Sequence, residues 1–308
     1  MSSPPDLAVD LGGIALRNPV LTASGTFGYG TELAPWIDLR RIGGIVSKSL
    51  TLRPRHGNLP RRIAETPAGM LNAIGLENVG VDAFLEEKLP ALPDGVPVIA
   101  SLFGTEIGEY RAVAERLSEC DRVAGLEINA SCPHVKAGGI EFGQDPGHLA
   151  RLVREVRRAT RLPLLVKLSP NVTDIARMAQ VCEGEGADAI ALINTLQALD
   201  VDVETRRPVL RNVLGGLSGP AIRPVALRMV FQAARAVSIP VCGIGGIETG
   251  EDAVKFLLCG ATAVQVGTAN YLDPAAALRV VEGIAEYCRR AGVASVRELV
   301  GGIELPAG

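Results

Sequence analysis

Residues 126–143 read LEINASCPHVKAGGIEFG, and they contain the most informative transition in the chain. An apolar run typical of a buried strand ends at the polar Asn129, and Cys132 follows three residues later, ahead of a glycine-rich stretch. In a parallel barrel, rigid strands end in polar side chains and the following loops cover the site. A thiol placed there can act as a nucleophile or as a general base. A free cysteine is more often a small buried apolar residue, so the interpretation of Cys132 depends on the rest of the chain.

Short apolar runs alternate with helical patterns on both sides of this stretch. Most runs lack period-two alternation, as expected for parallel strands that are covered on both faces. About eight strand-and-helix units in 308 residues predict one α/β domain over residues 1–308, a (β/α)8 TIM barrel. A doubly wound sheet is the alternative, but it usually needs fewer strands, and its Gly-x-Gly-x-x-Gly turn after the first strand is absent. The predicted strands are residues 19–24, 44–49, 96–102, 125–129, 163–168, 189–194, 240–243 and 263–267.

Helices are predicted between these strands, at residues 145–160, 173–185, 249–259 and 274–291. Asp145-Pro146 is a good start signal for the first of them, and Thr173 is the predicted cap of the second. Two segments interrupt the alternation. Residues 7–18 indicate an N-terminal hairpin with a Gly12-Gly13 turn that closes the bottom of the barrel, and residues 196–219 form a long polar, glycine-rich insertion. Insertions of that length are usually functional, and we expect inserted loops over the C-terminal face.

Composition excludes several classes of function. Hydrophobic residues make up 47% and charged residues 21%, and the net charge of -3 gives no sign of a nucleic-acid surface. No apolar run is long enough to span a bilayer, and residues 1–6 do not resemble a signal peptide. The six cysteines are scattered without a Cys-x-x-Cys pair, which argues against a metal or iron–sulfur cluster in this chain. Free thiols fit a cytoplasmic location, and Cys182, Cys242 and Cys259 are assigned to packing.

The predicted strand ends bring polar side chains to one face of the barrel. Two of them, Lys48 and Lys167, interrupt otherwise apolar runs, where a charge is costly without an anionic partner. One lysine could extend to solvent from a strand end, but two beside several asparagines indicate a bound anionic ligand. The strand-end residues are Ser24, Lys48, Ser101, Asn129, Lys167, Asn194 and Thr195.

The glycines after the last two strands predict a phosphate site. Gly245-Gly246 and Gly267-Thr268 follow strands seven and eight, where barrels commonly bind phosphate. Glycines let backbone N–H groups approach phosphate oxygens, and a following helix adds its dipole. Ser218-Gly219, ahead of the helix at Pro220, could add a contact. The positions of Tyr29 and Trp36 stay open, since either could wall the site or fill the N-terminal region.

Together these motifs resemble the dihydroorotate dehydrogenases, which are flavin barrels of pyrimidine synthesis. The resemblance covers nearly the whole chain and is less close at Ser101, Glu77 and Val79, where relatives often carry Asn, Gln and Pro. The matching blocks are residues 23–28, 47–49, 72–76, 129–133, 166–170, 194–195, 215–219, 243–246 and 266–268.

The subclass follows from the same comparison of motifs. Cysteine rather than the serine of the membrane-bound class stands at the base position, and the N-terminal membrane helix of that class is missing. The block at residues 135–143 is similar to class 1B, whose oxidant is NAD. The resemblance therefore implies a cytoplasmic barrel homodimer carrying two partner subunits, each with FAD and a [2Fe-2S] cluster.

The resemblance also implies roles for individual residues. Cys132 would be the general base in the oxidation of dihydroorotate to orotate, one FMN would bind per chain, and residues 133–143 would close over the site. Lys167 would stabilise the negative charge near flavin N1 on reduction, and Lys48 would bridge flavin and the substrate carboxylate. The implied FMN-binding residues are Ser24, Lys48, Ser49, Ser101, Asn129, Lys167, Ile193, Gly219, Gly245, Gly246, Gly267 and Thr268. The implied substrate-binding residues are Lys48, Asn72, Ala73, Ile74, Gly75, Leu76, Asn129, Asn194 and Thr195.

Three alternatives stay open at this point. The chain could be a class 1A homodimer that uses fumarate, or a flavin barrel that oxidises another dihydropyrimidine. It could also be a catalytically silent barrel that binds only flavin or a partner, although the presence of Cys132, Lys48 and Lys167 argues against that.

Overall fold

A computed structural model describes residues 4–130 and 142–306. Single-turn helices lie at Leu39–Arg41, Phe142–Gln144, Pro220–Ile222 and Val296–Leu299, with a π-helical turn at Phe84–Lys88. The strands are β1 Val9–Leu11, β2 Ile14–Leu16, β3 Val20–Thr22, β4 Gly44–Val46, β5 Ile63–Thr66, β6 Gly69–Asn72, β7 Val98–Leu102, β8 Val123–Asn129, β9 Leu164–Leu168, β10 Ala189–Leu192, β11 Leu196–Ala198, β12 Val201–Asp202, β13 Arg207–Pro208, β14 Gly215–Ser218, β15 Val241–Ile244 and β16 Ala263–Val266. The α-helices are α1 Val81–Ala83, α2 Ile107–Ser118, α3 Pro146–Ala159, α4 Ile175–Gly184, α5 Arg223–Ala234, α6 Gly250–Leu258, α7 Ala269–Leu272 and α8 Ala276–Ala291.

Eight parallel strands close into a barrel in the order β3-β4-β7-β8-β9-β10-β15-β16. Each barrel strand pairs with the barrel strands that come before and after it in the chain, and β16 pairs with β3 to close the ring. Helices α2 to α6 and α8 cover the outside, so the strands are buried on both faces and carry continuous apolar runs. The predicted (β/α)8 barrel and all eight of its strands are confirmed.

The N-terminal hairpin is also confirmed. Strands β1 and β2 pair in antiparallel register, and Gly12 and Gly13 turn between them with positive φ angles of 62° and 92°. A Cβ at Gly12 would clash with the main chain of Asp188, just before β10, and Ile14 packs against Gly125. The hairpin therefore covers the amino ends of the barrel strands, opposite the predicted site.

The insertions over the other end differ from the predicted loops. They contain strands that pair into a four-stranded antiparallel sheet in the order β11-β14-β6-β5. Asn72, one of the implied substrate-binding residues, is the last residue of β6. These strands have three or four residues each, and the central pair, β6 with β14, joins segments more than 140 positions apart, so local sequence patterns do not predict this sheet.

The predicted helices are present, with one corrected cap. Asp145 caps α3 by accepting a hydrogen bond from the backbone N–H of His148, and Pro146 occupies the first turn. The prediction of Thr173 as the cap of α4 is wrong, because Asp174 accepts from the Arg177 N–H instead. A carboxylate is the stronger acceptor at a helix N-terminus, where the macrodipole favours negative charge. No helix within residues 4–130 and 142–306 has the length and apolarity to cross a membrane.

Candidate active site

A cavity opens at the carboxyl ends of the barrel strands, beneath the four-stranded sheet. Eighteen of its lining positions are among the residues proposed from sequence, and the barrel brings them together from distant parts of the chain. They are Ser24, Lys48, Ser49, Asn72, Ile74, Gly75, Leu76, Asn129, Lys167, Ile193, Asn194, Thr195, Ser218, Gly219, Gly245, Gly246, Gly267 and Thr268.

Two lysines, Lys48 and Lys167, contribute positive charge to the cavity. Lys167 is 6% exposed and Lys48 is half-buried, and neither forms an ion pair with a carboxylate of the described chain. Burial lowers the pKa of Lys48, while the nearby Glu77 carboxylate raises it and Arg62 lowers it. Buried ammonium groups without carboxylate partners fit a site whose ligand carries negative charge.

Hydroxyl and amide groups form a connected network along one wall. Ser49 Oγ lies 2.9 Å from Ser101 Oγ and 3.4 Å from Ser24 Oγ, and it accepts a hydrogen bond from Asn129 Nδ2 at 3.0 Å. Asn194 Nδ2 donates to Asn129 Oδ1 at 3.3 Å. The network fixes the orientation of both asparagine amides, so they present defined donors and acceptors to a planar polar ligand.

The far end of the cavity is built from glycines. Gly219, Gly245 and Gly246 have φ angles of 95°, 128° and 71°, in the region that side chains disfavour. A Cβ at Gly246 would lie 2.8 Å from the carbonyl oxygen of Gly219. The Thr268 hydroxyl donates to Ser218 Oγ at 2.9 Å, which joins the last barrel segment to β14. Backbone N–H groups, two hydroxyls and the start of α5 form the concave polar end that a phosphate group needs.

The opposite end is shaped by the loop after β6. Asn58 holds this loop in place, because its backbone N–H donates to the Ile74 carbonyl at 2.8 Å and its side chain donates to the Ala73 carbonyl at 2.9 Å. Arg62 Nη2 pairs with Glu77 Oε2 at 2.6 Å at the edge of the cavity. These contacts leave Asn72 and the backbone of Gly75 available to the cavity.

Some sequence-based assignments fall outside the cavity wall. Ser101 and Ala73 are fully buried and do not line it; Ser101 supports Ser49, and Ala73 packs in a small cluster with Leu71. Cys132 and residues 133–141 of the predicted lid lie outside the described residues. Trp36 is 64% exposed and away from the cavity, whereas Tyr29 is buried and accepts a hydrogen bond from the Val79 N–H.

Sequence reasoning missed several lining residues. Ile63 and Met70 belong to the inserted sheet, Glu77 comes just after a recognised motif, and Tyr271 lies one turn beyond Gly267-Thr268. Tyr271 and Glu77 could have been found by extending each motif by a few residues. Ile63 and Met70 could not, because their approach depends on pairing between distant strands. Other lining residues that had no assigned role are Ala23, Gly25, Thr26, Ile222 and Ile244.

Known proteins resemble this chain over nearly its whole length. The sequence model of the dihydroorotate dehydrogenase family matches residues 6–288. A Geotalea daltonii protein named dihydroorotate dehydrogenase B (NAD+), catalytic subunit, is 57% identical over 302 residues, covering 98% of this chain and 99% of its own. The protein of the same name from Geotalea uraniireducens is 58% identical over 300 residues, covering 97% of this chain and 98% of its own.

The fold has a counterpart among solved structures. The dihydroorotate dehydrogenase of Eimeria tenella, solved in complex with ferulenol, superposes with a TM-score of 0.80 at 22% identity, over 96% of this chain and 88% of that chain. That likeness concerns the fold alone, and the family assignment rests on the sequence matches. With a barrel, a polar cavity at its carboxyl end and the family's sequence model along 6–288, this chain belongs to the dihydroorotate dehydrogenase family.

Proposed function

We propose that this chain is the catalytic subunit of an NAD-linked dihydroorotate dehydrogenase, and that it oxidises (S)-dihydroorotate to orotate in the synthesis of UMP. One observation carries the proposal: a single cavity joins two lysines that form no direct ion pair among the described residues, three asparagines and a glycine-lined polar end. The substrate is an anionic ring with amide-like edges, and FMN carries a phosphate, so each part of the cavity has a chemical counterpart.

The residues present fit FMN as the resident cofactor. Gly245, Gly246 and Gly267 with Thr268 would hold its phosphate through backbone N–H groups and a hydroxyl. The tight backbone turn at Gly245 and Gly246 has no room for a Cβ, which would clash with Ala226 at the first position and with the Gly219 carbonyl oxygen at the second. Lys167 would provide positive charge to stabilise the reduced cofactor. The chemistry that FMN supplies when bound is the acceptance of a hydride.

The substrate would bind at the other end of the cavity. Lys48 would pair with its carboxylate, and Asn72, Asn129, Asn194 and Thr195 would bond to the pyrimidine ring and the carboxylate. The hydrogen bonds that already orient Asn129 and Asn194 mean that little side-chain freedom is lost on binding. Backbone N–H groups of residues 74–76 would complete the carboxylate site.

Oxidation also requires a base that removes the proton from C5 of the substrate. Cys132 is our candidate, because it follows Asn129 by three residues and Asn129 lines the cavity. As a thiolate it would take the proton and become a thiol, while the hydride leaves C6. An unperturbed thiol titrates near ~8.5, so activity should rise on the alkaline side of neutrality.

Transfer of electrons to NAD would need a second protein. The chain has no dinucleotide fingerprint after its first strand. The cavity that the described residues form at the carboxyl ends of the barrel strands is already assigned to FMN and substrate. We therefore infer a barrel homodimer with two electron-transfer subunits that carry FAD and a [2Fe-2S] cluster. A fumarate-using class 1A homodimer is the second candidate.

The deciding experiment is an assay of the purified chain, alone and after co-expression with its electron-transfer subunit. The protein should be yellow, and acid should release FMN rather than FAD, at one per chain. Alone it should reduce artificial acceptors but not NAD, and the partner should restore NAD reduction. Efficient turnover with fumarate would mean class 1A, and a colourless protein that FMN cannot reconstitute would reject the flavin site.

A further inference from the structure

The eight barrel strands carry only two charged side chains, Glu127 on β8 and Lys167 on β9. These strands are neighbours, and Asn129 lies directly opposite Lys167 in the register. Glu127 is two positions before Asn129, so it lies on the same inward face one layer deeper in the barrel. One negative and one positive charge are thus diagonal neighbours in an otherwise uncharged barrel wall, within the reach of long side chains.

Glu127 is incompletely satisfied by the groups around it. The residue is fully buried, and Gln265 Nε2 donates to its Oε2 at 2.6 Å. Its second oxygen, Oε1, is buried and has no hydrogen-bond partner in the part of the chain that the structure describes, and the same holds for Gln265 Oε1. A buried carboxylate in this condition needs either a positive charge nearby or a proton.

Lys167 is the positive charge that the barrel offers. Its side chain is almost fully buried, and in the strand register it lies opposite Asn129, two positions beyond Glu127. Both groups affect the pKa of the Cys242 thiol on β15. Burial raises this pKa, the Glu127 charge raises it further, and the Lys167 charge lowers it. The two charges therefore act on the same interior region, where little water screens them.

We propose that Glu127 is the buried counter-charge of Lys167 and a positioning residue that holds this ammonium beneath the cofactor site. The pairing is inferred from the barrel residues and does not depend on the proposed function. Its consequence for FMN rests on the proposed function: the Glu127 charge would offset part of the Lys167 field, and so make the bound flavin harder to reduce. Gln265 would fix the carboxylate in place through its hydrogen bond.

The first test uses the protein without cofactor. Unfolding free energies are measured for Glu127→Gln, Lys167→Met and the double variant, at one pH and salt concentration. If the charges are paired, each single change leaves a buried charge without its partner, so the double variant should lose less stability than the sum of the two. Glu127→Gln with Lys48→Met is the matched control and should be additive. Additive losses for Glu127 and Lys167 would overturn the pairing.

A conservative variant guards against a simple folding defect. Glu127→Asp keeps the charge, so Lys167→Met should cost as much stability in this background as in the wild type, and less in the Glu127→Gln background. A purely steric role for Glu127 predicts the larger loss for the shorter Asp and little loss for Gln, which has the size of Glu. If Glu127→Gln is too unstable to measure, Glu127→Met also removes the charge and completes the cycle with Lys167→Met.

The second test concerns the cofactor and uses the FMN-loaded protein. The midpoint potential of FMN should rise in Glu127→Gln and stay near the wild-type value in Glu127→Asp. In the Lys167→Met background the Gln substitution should have no effect, because a lone buried carboxyl takes up a proton. No shift, a lowered potential, or equal shifts in both backgrounds would overturn the effect on flavin. If the protein binds no FMN, the proposed function fails, while the unfolding cycle still tests the pair.

Discussion

The two ends of the cavity are built on different principles. The glycine end consists of segments that directly follow barrel strands β15 and β16, so its geometry is inherited from the rigid barrel. The asparagine end depends on the inserted sheet and on the loop that Asn58 and Arg62 hold. A cofactor that stays bound fits the rigid end, and a substrate that must enter and leave fits the end made of inserted segments.

The largest expected effect concerns Cys132, the proposed general base, which should be needed for oxidation of the substrate but not for binding of FMN. Cys132→Ala should lower dihydroorotate oxidation by about 10²–10⁴-fold, the usual contribution of a general base, and should retain FMN. Cys132→Ser should keep slight activity, shifted to higher pH because a hydroxyl is the poorer base. Flavin reduction by dihydroorotate under anaerobic conditions measures the effect. Cys259→Ala is the control, and flavin reduction at the wild-type rate in Cys132→Ala would reject the role.

A substitution at the glycine end should separate cofactor binding from folding. Gly246→Val places a side chain at a φ of 71° and within 2.8 Å of the Gly219 carbonyl oxygen. If the turn moves to relieve this strain of about 1–3 kcal/mol, its phosphate-binding geometry is lost, and FMN binding should weaken by roughly five- to 150-fold. Quenching of FMN fluorescence by the apoprotein measures it. Gly184→Ala is the matched control, since a Cβ there meets nothing within 4 Å.

At the asparagine end, the expected change is in substrate affinity alone. Asn72 lines the cavity at the end of β6, and its amide reaches the Gly216 carbonyl oxygen at 3.4 Å. Loss of a hydrogen bond to a charged substrate, about 1.5 kcal/mol, should raise KM about tenfold in Asn72→Ala. FMN content should stay unchanged, and the exposed Asn212→Ala should behave as wild type. Loss of FMN from Asn72→Ala would mean that the two ends are not separable.

The smallest effect concerns the lysine between the two ends. Burial lowers the pKa of Lys48 from its ordinary value of 10.5, so the unfolded chain binds more protons at pH values between the two. The free energy of unfolding should therefore rise with pH through that interval because of this group. Without ligands, Lys48→Met should be more stable than the wild type near neutral pH.

This stability gap should narrow as the pH rises from the lowered Lys48 pKa towards 10.5. Thermal unfolding of both apoproteins across pH values measures it. A Lys48→Met variant that is less stable at neutral pH would show that the ammonium is stabilised in the empty cavity. Binding of orotate should be weakened in the same variant, because its carboxylate loses the paired charge.

Local patterns predict the barrel end of the site well. The apolar run before Lys167 and the glycines at 245–246 are each encoded within a few residues, because a buried parallel strand and a phosphate turn impose their own local composition. The resemblance to a family added Ser49 and Ile193, which no local rule marks, and both line the cavity. It also added Ala73, whose side chain packs away from the cavity in the small cluster with Leu71.

The sequence by itself determined the eight-strand barrel, its hairpin and the strand-end residues, since each follows from hydrophobic pattern and turn chemistry over short distances. Only the tertiary structure decided that β5, β6, β11 and β14 pair over the cavity, that Ser101 stands behind Ser49, and that Glu127 lies one layer below Lys167. These relations join residues far apart in sequence or depend on strand register. Register is set by the closure of the whole barrel, and no short segment contains that information.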